Sequence, residues 1–77
     1  MATVQIQKIG ADGKKFWSEV SGSTATKAMS KKMNKLGASC GNFTSREDAK
    51  EFASWLVANC ESVGFGRATG EFDISGF

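Results

Sequence analysis

Alternating polar and apolar positions predict two short strands at the start of the chain. Val4 and Ile6 alternate with polar residues and Ile9 closes the run, a pattern typical of a half-buried strand. Residues 15–20 show the same alternation. Residues 11–13, Ala-Asp-Gly, offer the left-handed conformations that a tight turn requires. We therefore expect the fold to open with a β-hairpin.

After residue 21 the apolar period changes from that of a strand to that of a helix. Apolar residues recur there every three or four positions: Ala25, Ala28, Met29, Met33 and Leu36. Residues 21–24 supply candidate N-caps, and Gly37 suits the left-handed position that ends many helices. The spacing predicts a first helix from Thr24 to Leu36.

A second helix, from Arg46 to Glu61, is predicted by its start signal and by a continuous apolar stripe. Ser45 is placed to accept hydrogen bonds from first-turn amides, and the carboxylates of Glu47 and Asp48 suit the positive end of the helix dipole. The stripe is formed by residues three and four apart: Ala49, Phe52, Ala53, Leu56 and Cys60.

The remaining segments complete an α+β fold with two helices packed on one face of a small, mainly antiparallel sheet, in the order ββαβαβ. The sequence leaves open whether residues 38–43 form the short third strand of this order, and Phe72 and Ile74 are expected to form the inward face of the last strand. A chain of 77 residues has room for one domain, residues 1–77. One shared core is expected to contain Val4, Ile6, Met29, Phe52, Leu56, Phe72 and Ile74.

The apolar segments are too short to indicate a membrane span, which needs about 18 consecutive apolar residues. The first residues also lack the basic and apolar regions of a secretion signal. We therefore expect a cytoplasmic protein without membrane contacts. The composition, 40% hydrophobic and 23% charged, is that of an ordinary globular domain and excludes a disordered chain.

The residues that usually carry catalysis or bind metal are scarce. The chain has no histidine, and its cysteines, Cys40 and Cys60, are far apart in sequence. In a reducing compartment both are predicted to be free thiols, with Cys60 in the core. No carboxylate lies in a stretch apolar enough to tune its pKa for acid or base catalysis. We expect no enzymatic activity, no metal site, no cofactor and no small-molecule substrate.

Charge is unevenly distributed along the chain. Residues 1–40 carry a net charge of +5 and residues 41–77 one of −3, which together give the +2 of the whole chain. Lys27, Lys31 and Lys35 are four residues apart and so share one helix face, with Lys32 at its border. Such a face either is simply solvated or contacts a nucleic acid or an acidic protein surface.

Two tryptophans are further candidate binding residues. Trp17 lies on the opposite side of its strand from Phe16, and Trp55 lies beside the apolar stripe of the second helix. We expect at least one of them to be partly exposed. A partly exposed tryptophan anchors many protein interfaces, but it also serves to cover the edge of a small core.

A likeness to a known family lies in the second half of the chain. Phe43-Thr44-Ser45-Arg46-Glu47, then a helix containing Trp55, then Gly64-Phe65-Gly66-Arg67, resembles the F-x-S-x-E, Trp, G-x-G-R order of small phage-encoded anti-CRISPR proteins that act on the type I-F surveillance complex. The likeness runs from residue 43 to 67 with one gap, and the N-terminal half does not match. It implies a small sheet carrying two helices and inhibition by covering a Cas subunit that would hold target DNA.

Two hypotheses about function follow. The first is a phage-type inhibitor that binds a host protein or ribonucleoprotein complex, such as a CRISPR-Cas effector, and blocks its action. The second is a small nucleic-acid-binding module that uses the lysine-rich helix face. The predicted partner-binding residues are common to both: Lys27, Lys31, Lys32, Lys35, Trp17 and Trp55. In the first hypothesis, the basic helix face contacts an anionic or nucleic-acid-binding region of the complex.

Overall fold

The computed structural model describes residues 1–76 and confirms the predicted α+β class. Its elements, in chain order, are β1 (Thr3–Ile9), β2 (Lys15–Glu19), α1 (Lys27–Lys35), α2 (Arg46–Asn59) and β3 (Ala68–Ser75). The order is therefore ββααβ, and residues 38–43 do not form the third strand that the sequence left open.

The three strands form one antiparallel sheet in the order β2-β1-β3, with β1 in the centre. Val4 pairs with Ile74 and Ile6 with Phe72, so these four side chains share one face of the sheet. Helix α2 packs on that face, against β3 and β1. The predicted hairpin and the predicted inward face of the last strand are both confirmed.

Helix α1 begins three residues later than predicted, because residues 21–24 form a hydrogen-bonded turn. The Thr24 hydroxyl accepts from the Ser21 N–H at 2.8 Å and donates to the Glu19 carbonyl oxygen at 3.0 Å. This bonding competes with the helix for the same backbone. Thr26, in an extended conformation, is the N-cap instead.

Helix α2 starts as predicted and ends two residues earlier. The Ser45 hydroxyl accepts from the Asp48 N–H at 3.1 Å, and Glu47 and Asp48 occupy the first turn. After Asn59 the chain leaves the helix through tight turns, and the Phe65 N–H donates to the Cys60 carbonyl at 3.0 Å. The left-handed backbone of Gly64, with φ of 82°, permits this reversal.

A tight turn, and not a third strand, occupies residues 38–43. Ser39 and Asn42 exchange backbone hydrogen bonds of 3.1 and 2.9 Å across Cys40 and Gly41, both of which have positive φ. Only Phe43 then pairs with the N-terminal segment, exchanging bonds of 3.0 and 2.8 Å with Ala2. The tight turn uses most of this segment, so too few residues remain to pair along the sheet.

One hydrophobic core lies between the sheet and the helices. Its fully buried members include Val4, Ile6, Met29, Phe52 and Leu56, and Phe72 and Ile74 pack against it partly buried. The predicted core is thus confirmed. Neither helix within residues 1–76 combines the length and the apolar character that a membrane crossing would require.

The two cysteines occupy different environments, and both are free. Cys40 is exposed in the turn, whereas Cys60 is buried in the core, as predicted. Burial raises the pKa of the Cys60 thiol, although the charge of Lys8 opposes this. Since the folded pKa lies above the unfolded one, Cys60 stabilises the fold below the unfolded pKa, and this contribution is lost as the pH rises through the folded pKa.

This contrast predicts the behaviour of the thiols toward a disulfide reagent. Cys40 should react rapidly in the native protein, and Cys60 only on unfolding, because thiolate formation and access are both suppressed in the core. Cys40→Ser should leave the melting midpoint unchanged and abolish the rapid phase. Spectrophotometric thiol titration measures both phases. A Cys40–Cys60 bridge in freshly isolated protein would contradict the prediction.

Candidate macromolecule-binding surfaces

Helix α1 presents a row of lysines directly away from the core. Met29 and Met33 are buried beneath the helix, and Lys27, Lys31 and Lys35 lie exposed on the opposite side. The helix contains no acidic residue. In the chain from residue 1 to 76, the one ion pair joins Arg67 to Glu61, so these lysines have no carboxylate partner. We call Lys27, Lys31, Lys32 and Lys35 together the lysine face.

Lys32 connects the lysine face to Trp55 on α2. Its ammonium group lies 5.8 Å from the centroid of the Trp55 ring, within the range of a cation–π interaction. Trp55 is half-buried, and its ring centroid is 5.6 Å from that of Phe52 in the core. The structure therefore brings four lysines and one of the two predicted tryptophans onto adjoining surfaces. Trp55 also covers the edge of the core, which is the structural role expected of it.

Trp17 lies on a separate surface, the side of the sheet that carries no helix. It pairs directly with Gln7 and is 50% exposed. Strand alternation places it opposite to Ile6, which faces the helices. This arrangement separates Trp17 from the lysines of α1, because the sheet lies between them.

The surface around Trp17 differs in charge from the lysine face. Alternation and register place Lys15 and Glu19 beside Trp17, and Glu71 and Asp73 on β3, all on the helix-free face. Three carboxylates thus accompany one ammonium group. The molecule carries positive charge on α1 and a negative excess on the helix-free side of its sheet.

Lys8 and Phe16 have roles that the sequence interpretation did not assign. Lys8 follows Val4 and Ile6 in the inward register of β1, and its ammonium group lies 4.2 Å from the centroid of the Phe65 ring. It lies 5.7 Å from that of Phe16, which is 47% exposed at the edge of the sheet. The sequence signal for the role of Lys8 was a lysine at an inward position of an alternating strand. A lysine at such a position packs its aliphatic stem at the margin of the core.

Metal ligands do not converge in the part of the chain that the structure describes. Across residues 1–76, no three Cys, Asp or Glu side chains lie close enough together to hold an ion.

No protein-family model, curated protein or solved structure matches this chain in the comparisons made. The assignment of function therefore depends on the charge and exposure of these surfaces and on the resemblance already described.

Proposed function

We propose that this chain is a non-catalytic binding protein, a phage-type inhibitor that docks its lysine face on an acidic surface of a host protein complex and blocks the action of that complex. The observation that carries the proposal is the set of four lysines on α1, which have no carboxylate partner within residues 1–76 and adjoin the half-buried Trp55. In such an arrangement the lysines attract an anionic partner at long range, and Trp55 supplies a hydrophobic anchor at contact.

The charge of the lysine face limits the kind of surface that it can approach. Like charges across an interface are unfavourable, so the contact region must be anionic. A positively charged groove that holds DNA would repel these lysines. We therefore place the contact on an acidic protein patch of the complex, and inhibition would follow from blocking access to a neighbouring site. The type I-F surveillance complex is the specific candidate, on the resemblance between residues 43 and 67.

A nucleic-acid-binding module is the second candidate, because four lysines on one helix also suit phosphate groups. Binding of single strands usually adds exposed aromatic rings on which bases stack. Here Trp55 is half-buried beneath Lys32, and Trp17 lies across the sheet among carboxylates. This separation of charge from stacking surface favours the protein partner.

Reversing three lysines tests the proposal. Lys27→Glu, Lys31→Glu and Lys35→Glu together should slow association with immobilised, purified type I-F complex by about tenfold or more, because attraction becomes repulsion. The circular dichroism spectrum and melting midpoint should change little, since the three side chains are exposed. Surface plasmon resonance gives the association rate.

A matched control separates the local surface from total charge. Lys14→Glu, Lys50→Glu and Arg67→Glu together change the net charge equally but leave α1 intact. This variant should associate at nearly the wild-type rate. Normal kinetics for the α1 variant would refute the lysine face as the docking surface. If Trp55→Ala alone then accelerated dissociation, the anchor would instead be Trp55 with the neighbouring acidic residues of α2.

A salt series separates the two candidate functions. Wild-type protein and a mixed-sequence single-stranded oligonucleotide are compared in a gel shift at increasing salt concentration. Phosphate contacts by four lysines would give a steep decline of log affinity with log salt, with a slope of about −3 for a single strand. Tight binding with that slope would favour the nucleic-acid module, whereas no shift is expected for the inhibitor.

A further inference from the structure

The outer edge of β2 is an unpaired strand edge with a defined backbone pattern. The Gly10 N–H donates to the Lys14 carbonyl, and the Val20 N–H donates to the Val4 carbonyl, each at 2.9 Å. Even-numbered residues of this segment therefore direct their backbone groups toward β1. Backbone groups alternate along a strand, so those of Lys15, Trp17 and Glu19 point away from the sheet.

The side chains of this edge leave it open to another strand. Phe16 and Trp17 are the large aromatic side chains most exposed in residues 1–76, one on each face of β2. Edge strands of monomers are often protected by inward charges, proline or a covering loop. Here the charges are Lys15 and Glu19, which lie at the two ends of the strand and have opposite sign.

We propose that β2 pairs in antiparallel fashion with β2 of a second copy of this chain, about a twofold axis at Trp17. The sequence Lys15-Phe16-Trp17-Ser18-Glu19 is complementary to itself in this register. Lys15 of each copy then lies opposite Glu19 of the other, on the same face of the sheet, and the two Trp17 residues are neighbours. The two sheets join into one.

Hydrogen bonding fits the same register. Lys15, Trp17 and Glu19 point outward, so each cross-copy pair exchanges two backbone bonds, about six in all. The Glu19 carbonyl already accepts from the Thr24 hydroxyl at 3.0 Å, which leaves one lone pair for the second copy. Within residues 1–76, the backbone groups of Trp17 and the Glu19 N–H have no partner in the monomer that this pairing would displace.

Other symmetric registers lose the charge complementarity. If the axis moves to Phe16, Lys15 lies opposite Trp17 of the second copy, and Glu19 lies opposite the turn before β2. If it moves to Ser18, Glu19 lies opposite Trp17 and Lys15 opposite residue 21. The register centred on Trp17 alone pairs both charges and uses all five residues of β2. A symmetric, self-complementary surface is what a twofold dimer requires.

The interface is small, because it consists of two strand edges and the side chains beside them. Interfaces of this size are weak and concentration-dependent. The dimer involves neither α1 nor Trp55, so it stands independently of the proposed function. The paired residues 15–19 include no member of the lysine face.

Charge reversal tests the pairing. In sedimentation equilibrium over a concentration series, wild-type protein should show a monomer–dimer equilibrium. Lys15→Glu should raise its dissociation constant about tenfold or more, because two pairs of carboxylates then face each other, and Glu19→Lys should do the same with two pairs of ammonium groups. The double variant, Lys15→Glu with Glu19→Lys, restores opposite charges and should dimerise like wild type. Circular dichroism confirms that each variant is folded.

A cross-link tests the register directly. In a Cys40→Ser background, Trp17→Cys places two thiols across the axis, where hydrogen-bonded partners have Cα atoms about 5.5 Å apart and can form a disulfide. Oxidised glutathione should therefore yield a covalent dimer, and Ser18→Cys in the same background should yield much less. A wild-type protein that remains monomeric at all concentrations would overturn the proposal. Equal dimerisation of wild type and both single reversals would do so too.

Discussion

Leu56→Ala is expected to lower the free energy of unfolding by about 2 to 5 kcal/mol. Leu56 is fully buried in the middle of the α2 stripe that covers the sheet. Its truncation removes apolar contacts and leaves a cavity in a core formed by one short helix layer and three strands. A domain this small has a total stability of only about 5 to 10 kcal/mol, so the loss is a large part of the whole. Thermal or urea unfolding followed by circular dichroism measures it.

Val57→Ala is the matched control for this prediction. Val57 is the next residue of α2 and is only partly buried. Its truncation removes less buried surface, and alanine is the better helix former, so the net change should stay below about 1 kcal/mol. If Leu56→Ala and Val57→Ala had the same unfolding midpoint, the assignment of Leu56 to the centre of the core would be wrong.

The elements that the sequence predicted well are those whose signals are local and mutually consistent. At the start of α2, Ser45 supplies the cap, and an unbroken apolar stripe follows it. In the hairpin, a glycine with positive φ separates two alternating runs. In each case the capping, turn and burial preferences of the residues favour the same conformation, so few alternatives compete.

Residues 38–43 show where local reasoning fails. Apart from Phe43 they are small or polar, and their conformation is decided by a tight turn at Cys40 and Gly41 that fits against the backbone of Val20 and Ser21. Cys40 has φ of 53°, an uncommon conformation for a residue other than glycine. Such a contact between distant segments leaves no periodic signal in the sequence.

The candidate binding surfaces could be predicted from the sequence only within single elements. Helical spacing alone places Lys27, Lys31 and Lys35 on one face, and the structure agrees. The proximity of Lys32 to Trp55, and the separation of Trp17 from both, depend on how the helices pack against the sheet. Sequence periodicity specifies which side of an element faces inward, but it does not specify which outward sides adjoin.

Gly41→Ala should destabilise the fold by about 2 to 5 kcal/mol, the sum of a backbone term and a steric term. Gly41 has φ of 82°, which costs a residue with a side chain about 1 to 2 kcal/mol. An added methyl group would also collide with the carbonyl oxygen of Val20 and lie 2.8 Å from the Cα of Ser21. Both obstacles are backbone atoms, so the chain after β2 would have to shift.

Gly13→Ala isolates the backbone term, because Gly13 has nearly the same φ, 81°, and open space where the methyl group would lie. It should cost only about 1 to 2 kcal/mol. The difference between the two variants in urea unfolding therefore measures the close approach of the 39–42 turn to the end of β2. Equal unfolding midpoints would show that Gly41 does not approach the Val20 backbone in solution, and the position assigned to this turn would be wrong.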